Sequence, residues 1–171
     1  ALRGVTGFSL FRRSDSLTAN PTAQGVSLRG TGASRASRSL VLLDGVPLND
    51  PFGGWVPWSK VSRESLAGAE LVRGGGATAW GNAALGGVVQ LLTAPPAPGG
   101  RFTATLGDFS THSAELAFTQ AAGPGTLQLT GRDFATDGFA LVAPEDRGPV
   151  DLAAWSQHRW LSARWTQAAG E

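Results

Sequence analysis

Residues 101–171 alternate apolar and polar side chains with a period of two, and this pattern constrains the fold more than any other. Phe102, Ala104 and Leu106 alternate with threonines, and the pattern returns after the turn sequence at 122–125. A period of two places successive side chains on opposite faces of a strand. The sequence therefore predicts about four antiparallel strands, each with one apolar and one polar face.

Two structures are compatible with this alternation. A soluble antiparallel sheet buries its apolar face, whereas a transmembrane barrel strand turns it to lipid. Thr, Ser and Gln dominate the polar face, and the short turn at 122–125 is followed by a long polar stretch at 135–152. Short and long connections alternate in this way at the two rims of membrane barrels. The pattern favours the barrel, and the soluble sheet stays the alternative.

Trp155 and Trp165 give the barrel interpretation a length scale. They share a face ten residues apart, or roughly 33 Å of strand and about 23 Å of height at a 45° tilt. This is close to the ~25 Å between the aromatic girdles of such barrels. Gln157 and Arg159 interrupt the apolar face unless they lie near a rim.

A Pro- and Gly-rich boundary divides the chain. Residues 94–100 contain three prolines and two glycines, which cannot continue a helix or a central strand. We predict one domain at 1–94, a linker at 95–100, and strands over 101–171. The first domain has a mixed α/β pattern, with short strands predicted at 26–29, 40–43, 69–72 and 88–92 and one short helix at 77–80.

Charge and composition exclude several functions. The first 94 residues carry nine basic and five acidic residues, and the remainder carries five basic and eight acidic ones. The basic residues are scattered rather than clustered with aromatic ones, so we expect no nucleic-acid partner. Without cysteine the chain has no disulfide, thiolate nucleophile or cysteine metal site.

No motif predicts catalysis. The glycine-rich stretch 74–81 is followed by Asn82 and not by the lysine of a phosphate-binding loop, so backbone turns explain it better. His112 and His158 have no acid or nucleophile at a suggestive spacing, and His158 shares a strand face with Trp160 and Arg164. We therefore predict no catalytic residue, no metal site, no cofactor and no enzyme activity.

Five blocks of the first domain occur in a particular order and spacing. They are Leu2–Phe8, Val26–Gly30, Ser39–Leu48, Ala69–Gly74 and Ala79–Val89. Together they resemble the plug domain of TonB-dependent outer-membrane transporters. The resemblance implies a fragment, namely most of a plug and the start of a 22-stranded β-barrel whose lumen the plug closes.

The resemblance also implies a function. It is the energy-coupled import of a metal chelate such as a siderophore, of cobalamin or of a similar large solute across the outer membrane of a Gram-negative bacterium. The implied partners are that solute, the outer-membrane lipid and the periplasmic TonB protein, whose contact box has no match in these residues. The alternative is a soluble β-rich binding or adhesion module with an α/β cap.

Two groups of side chains are the candidate site residues. The predicted contacts between plug and barrel are Arg29, Glu70 and Arg73. Glu115 is the acidic residue that the predicted lumen face offers to the positively charged plug. The predicted ligand-facing residues of the plug loops are Arg35, Arg38, Asn49, Asp50, Phe52 and Trp55. Asp44 with Gly45 is interpreted first as a turn.

Overall fold

The structure is a computed structural model that describes residues 6–11, 15–20, 24–28, 38–74, 77–95 and 97–167. The chain divides into two compact units. The first comprises residues 1–61 and 66–94, and the second comprises 62–65 and 95–171. Residues 62–65 therefore belong with the C-terminal strands, although the chain enters and leaves this segment from the first unit.

A mixed sheet forms the centre of the first unit. Its strands, in the spatial order β4-β3-β6-β5, are β3 (Ser39–Leu43), β4 (Val46–Pro47), β5 (Leu66–Arg73) and β6 (Gly87–Thr93). β3 and β6 are parallel, and the other pairs are antiparallel. β1 (Phe8–Phe11) and β2 (Gly25–Leu28) form a separate antiparallel pair. Helix α1 spans Ala77–Trp80, and 3-10 turns lie at Trp58–Lys60 and Asn82–Ala84.

The core of this unit lies on both faces of β3 and β6. Val41, Val89 and Leu91 pack with β2 on one face, and Leu40, Leu42 and Val88 pack around Ala84 on the other. A strand that is buried on both sides needs apolar residues at every position. This explains the unbroken aliphatic run in β3, and it confirms the prediction of a buried strand there.

The second unit is an antiparallel meander. Its strands, in the order β10-β9-β8-β7, are β7 (Gly99–Gly107), β8 (Thr111–Ala122), β9 (Gly125–Thr136) and β10 (Ser156–Gln167). The predicted period-two strands are confirmed. β7 begins at Gly99, inside the predicted linker at 95–100, because Gly99 and Gly100 pair with Thr119 and Phe118 of β8.

The two faces of this meander have opposite character. One face, which we call the polar face, is identified by a row of directly opposed residues across the four strands: Thr103, Glu115, Arg132 and Trp160. The apolar face is the other one, and it carries Phe102, Leu106, Leu116, Phe118, Leu161 and Trp165, all of them exposed. Leu161 is 74% exposed while Arg132 is 4% exposed. This is the reverse of what a sheet in a soluble protein does.

None of the helices in the described ranges is long and apolar enough to cross a membrane.

Gly87 provides a test of the packing of the first unit. Its φ is +125°, and a Cβ there would stand 2.4 Å from the Val72 carbonyl oxygen and 2.8 Å from Leu28 Cδ1. Gly87→Ala should therefore weaken the sheet by about 3 kcal/mol, from backbone strain and overpacking. Hydrogen–deuterium exchange of the β3 and β6 amides measures this, with roughly a hundredfold faster exchange expected. Gly68→Ala is the matched control, since nothing lies within 4 Å of its Cβ position. Equal exchange in the two variants would contradict the packing described.

Candidate functional site

A buried ion pair lies on the polar face of the meander. Arg132 of β9 stands directly opposite Glu115 of β8. Its Nε and one terminal nitrogen donate to the same oxygen, Glu115 Oε1, at 3.0 and 2.6 Å. The side chains are 3% and 15% exposed. Because both donors use one oxygen, the second carboxylate oxygen of Glu115 stays available to another donor.

Ser62 supplies that donor. Its hydroxyl donates to Glu115 Oε2 at 3.1 Å, and the residue is 2% exposed. The same hydroxyl oxygen accepts the Glu64 N–H at 3.2 Å, and the Ser62 carbonyl accepts the Ser65 hydroxyl at 2.9 Å. These bonds close the 3-10 turn Arg63–Ser65. The segment Ser62–Ser65 is thereby hydrogen-bonded to the polar face.

A second, exposed contact holds the same segment. Arg101 of β7 donates to Glu64 Oε2 at 2.8 Å, with side chains that are 72% and 25% exposed. Surface ion pairs of this kind contribute only about 0–1 kcal/mol. Removing one partner of a buried pair such as Arg132–Glu115 costs about 3–5 kcal/mol, because the other charge is left uncompensated. The strong interaction, Arg132–Glu115, therefore joins β9 to β8, and the weaker contacts of Glu115 and Arg101 hold the segment Ser62–Ser65.

Two of the three predicted contact residues of the plug lie in the described ranges. Arg29 is outside the described residues. Glu70 and Arg73 are on β5, opposite Gln90 and Gly87 of β6, and both are exposed. Neither forms an ion pair with another residue in the described ranges.

Asn49 is a structural residue of its loop. Its Oδ1 accepts the Val41 N–H at 2.6 Å, and its Nδ2 donates to the carbonyls of Ser39 and Gly54 at 3.2 and 3.1 Å. The side chain thus replaces a neighbouring strand along this part of β3. Because its amide group forms hydrogen bonds with three backbone groups, Asn49 joins the loop to β3.

The rest of that loop presents one aromatic ring. Asp50 Oδ1 accepts the N–H groups of Phe52 and Gly53 at 2.9 and 2.8 Å. The Asp50 N–H donates to the Trp55 carbonyl and the Gly54 N–H to the Asp50 carbonyl, both at 2.8 Å. Gly53 lies against the half-buried Trp55 ring, so no Cβ would fit there. Phe52 stands at the tip of this closed loop, 97% exposed.

Two of the remaining residues singled out in the sequence, Arg38 and Asp44, lie in the described ranges. Arg38 is exposed just before β3, and its carbonyl accepts the Gly86 N–H at 2.7 Å. Arg35 lies outside the described residues. Asp44 has a φ of +47°, and its carboxylate accepts the N–H and hydroxyl of Thr93 at 2.9 and 2.7 Å. Asp44 and Gly45 form the predicted turn between β3 and β4, and the Asp44 carboxylate joins this turn to the end of β6.

The two histidines lie on opposite faces of the meander. His158 lies on the polar face and stacks on Phe134 with ring centroids 4.9 Å apart. His112, on β8, is exposed and lies on the apolar face. The described ranges hold no group of three or more His, Cys, Asp or Glu residues that could bind a metal ion.

Sequence reasoning missed Ser62 and Arg132. Arg132 could have been found, because the tight turn at Gly123–Pro124 pairs Ala122 with Gly125 and so places Glu115 and Arg132 opposite each other. Ser62 carries no such signal, since it reaches Glu115 across 53 residues of sequence.

Comparisons with known proteins place these features in a family. The family model described as the TonB-dependent receptor plug domain matches residues 1–88. Three solved structures share the fold. The siderophore receptor PirA from Pseudomonas aeruginosa is 19% identical over 97% of this chain and 33% of its own, with a TM-score of 0.58. The copper transporter OprC is 22% identical over 81% and 21%, with a TM-score of 0.57. The ferric yersiniabactin uptake receptor FyuA from Yersinia pestis is 19% identical over 80% and 21%, with a TM-score of 0.54.

This chain therefore spans between a fifth and a third of the length of those three structures. The family match covers β3, β4 and β5 and the first two residues of β6, and more than half of the chain. The chain belongs to the TonB-dependent receptor family, through its plug domain.

Proposed function

We propose that this chain is the plug and the first wall strands of an outer-membrane transporter that imports a large solute with energy from TonB. One observation carries the proposal: a plug-family domain is followed directly by a meander with an exposed apolar face and a polar face that holds a buried ion pair. That face pattern is the one that a strand wall between lipid and an aqueous lumen requires.

The whole transporter would be a 22-stranded barrel in the outer membrane of a Gram-negative bacterium, with the plug as its gate. It would act by selective binding and gating, with no chemical step. The proposed solute is a metal chelate such as a siderophore, or cobalamin or a solute of similar size. The similar structures are named as a siderophore receptor, a ferric yersiniabactin uptake receptor and a copper transporter, which supports a metal-related cargo. A soluble adhesion module would leave the exposed apolar face of the meander without a function.

Phe52 is the best-supported ligand contact among the loop residues. The closed loop around Asp50 fixes the ring before a ligand arrives, so little conformational entropy is lost on binding. Arg35, Arg38 and Trp55 remain proposed neighbours of the ligand. Asn49 and Asp50 act by holding the loop.

Anchoring of the plug is proposed at two levels. Arg29, Glu70 and Arg73 remain proposed contacts with the barrel wall. The segment Ser62–Ser65 adds a hydrogen bond to Glu115 and an exposed ion pair to Arg101. Because Arg132 compensates Glu115 within the wall, release of this segment would leave no unpaired buried charge. The contact is thus suited to being broken and remade during gating.

The function is tested by uptake in cells that carry the intact receptor as their sole transporter of this class. Radiolabelled iron is supplied as catecholate, hydroxamate or citrate chelates, and cobalt as cyanocobalamin. We expect accumulation of at least one probe, which stops when TonB is deleted. Accumulation that is unaffected by loss of TonB would contradict the proposal.

Phe52→Ala should lower the affinity for the transported probe about tenfold, because an anchoring aromatic contact is lost. Phe52→Tyr keeps the ring and should bind nearly as well. Binding is measured by the quenching of tryptophan fluorescence, and stability by hydrogen exchange of β3. Asn49→Ala should instead accelerate β3 exchange, because it removes the acceptor of the Val41 N–H and the amide that donates to two loop and strand carbonyls. If Phe52→Ala left binding unchanged, Phe52 would not be a ligand contact.

Arg132→Leu should weaken the β8–β9 pairing by about 3 kcal/mol, because Glu115 stays buried without its cation. The double variant Glu115→Leu with Arg132→Leu should recover most of that loss. Ser62→Ala should leave β8 and β9 intact but increase exchange of the Glu64 amide, whose hydroxyl acceptor is removed. Site-resolved hydrogen exchange on the intact receptor measures all three variants. Destabilisation of β8 by Ser62→Ala as large as that by Arg132→Leu would contradict this ranking.

A further inference from the structure

Charged side chains on the apolar face are confined to one place. Among the described residues of β7–β10, the charged members of this face are Asp133 of β9 and Arg159 of β10, which stand directly opposite each other. The rows on the side of the Gly123–Pro124 turn are apolar apart from Gln120 and Gln167. The charges therefore lie toward the end of the meander that carries the long connection between Thr136 and Ser156.

Asp133 and Arg159 form an ion pair that leaves part of the guanidinium exposed on this face. Arg159 Nε donates to Asp133 Oδ1 at 2.8 Å, and the side chains are 74% and 36% exposed. No described residue accepts a hydrogen bond from the two terminal nitrogens of Arg159. Asp133 thus orients the guanidinium while its outer edge still has donors to offer. His112 lies diagonally across β8 and β9 from Asp133 on the same face, and it is exposed.

Completion of the barrel would not cover this surface. Further strands extend a wall sideways, so the outward face of β9 and β10 continues to meet the membrane. A charged donor that faces lipid must find an acceptor, because hydrocarbon supplies none. The exposed edge of Arg159 therefore implies a polar group in the membrane itself.

The position along the strand identifies the membrane level. Arg159 is the fourth residue of β10, three residues from the loop end, which is roughly 7 Å of height at a 45° tilt. Membrane barrels place their longer loops outside the cell and their short turns in the periplasm. The pair then lies near the headgroups of the outer leaflet, whose glycolipid carries phosphate groups.

We propose that Arg159, oriented by Asp133, binds a phosphate group of the phosphorylated glycolipid of the outer leaflet, with His112 beside it. Guanidinium groups with free terminal nitrogens match phosphate oxygens in geometry and charge. The inference rests on the proposed function, since it requires these strands to lie in the outer membrane. It adds a lipid site on the outer wall, away from the lumen and the solute.

The test uses the intact receptor in detergent, with lipid A binding followed by native mass spectrometry. Wild type should bind bisphosphorylated lipid A, and Arg159→Gln should bind it at least fivefold more weakly. Arg159→Lys keeps the charge but lacks the paired terminal nitrogens, so its affinity for lipid A should lie between those of wild type and Arg159→Gln. The matched control is Arg164→Gln, the same change on the opposite face of the same strand, and it should bind as wild type does.

Dephosphorylated lipid A and phosphatidylglycerol are the comparison lipids. Weaker binding of both supports the site, whereas equal binding of either would overturn the assignment to a glycolipid phosphate. Unchanged lipid A binding by Arg159→Gln would also overturn it. So would a receptor dimer that dissociates in Arg159→Gln and in no other variant, because Arg159 would then contact a second receptor and not a lipid. Membrane fractionation of the same variants separates the two proposals. A receptor that does not enter the outer membrane refutes the proposed function. A receptor that enters it but binds lipid A equally well without Arg159 refutes this site alone.

Discussion

The meander of β7–β10 holds its buried ion pair on one face and its exposed apolar surface on the other, and the roles assigned to the other residues depend on that arrangement. In water the exposed Leu, Phe and Trp side chains of the apolar face would be unfavourable. In a bilayer the same side chains are the favourable ones, and the polar face can line an aqueous lumen. The position of Arg132 then follows, because a buried guanidinium needs a carboxylate, and the register of β8 and β9 supplies Glu115 directly opposite.

The interactions around Glu115 differ in strength, and this difference bears on the proposed gating. Arg132 and Glu115 form the buried pair within the wall, while Ser62 reaches the carboxylate with a single hydroxyl. We propose that this segment is released during gating, and a segment that carried its own arginine to this carboxylate would then leave a buried charge behind. Because Arg132 stays paired with Glu115, the proposed release leaves the carboxylate compensated.

Much of the fold could be predicted because local patterns determined it. The aliphatic run of β3, the period-two strands and the turn at Gly123–Pro124 are each specified by their own residues. The site was less accessible to prediction. Asn49 and Asp50 were predicted to face the ligand because the plug family presents their loop outward, and no sequence pattern showed that their side chains also bind backbone groups. Ser62 could not be found, because its partner lies in another part of the sequence and no local pattern encodes such a contact.

Site-directed spin labelling distinguishes the two faces of this meander, of which one is proposed to meet lipid and the other water. These residues contain no cysteine. Single cysteines are introduced here in an intact receptor from which any other cysteine has been removed by substitution, and the receptor is reconstituted in bilayers. Labels at Leu116, Phe118 and Leu161 should be relaxed by oxygen, which partitions into lipid. Labels at Ala117, Thr130 and Ser162 should be relaxed by a water-soluble nickel chelate instead. Equal accessibility of the two sets, or the reverse order, would contradict the membrane-wall account.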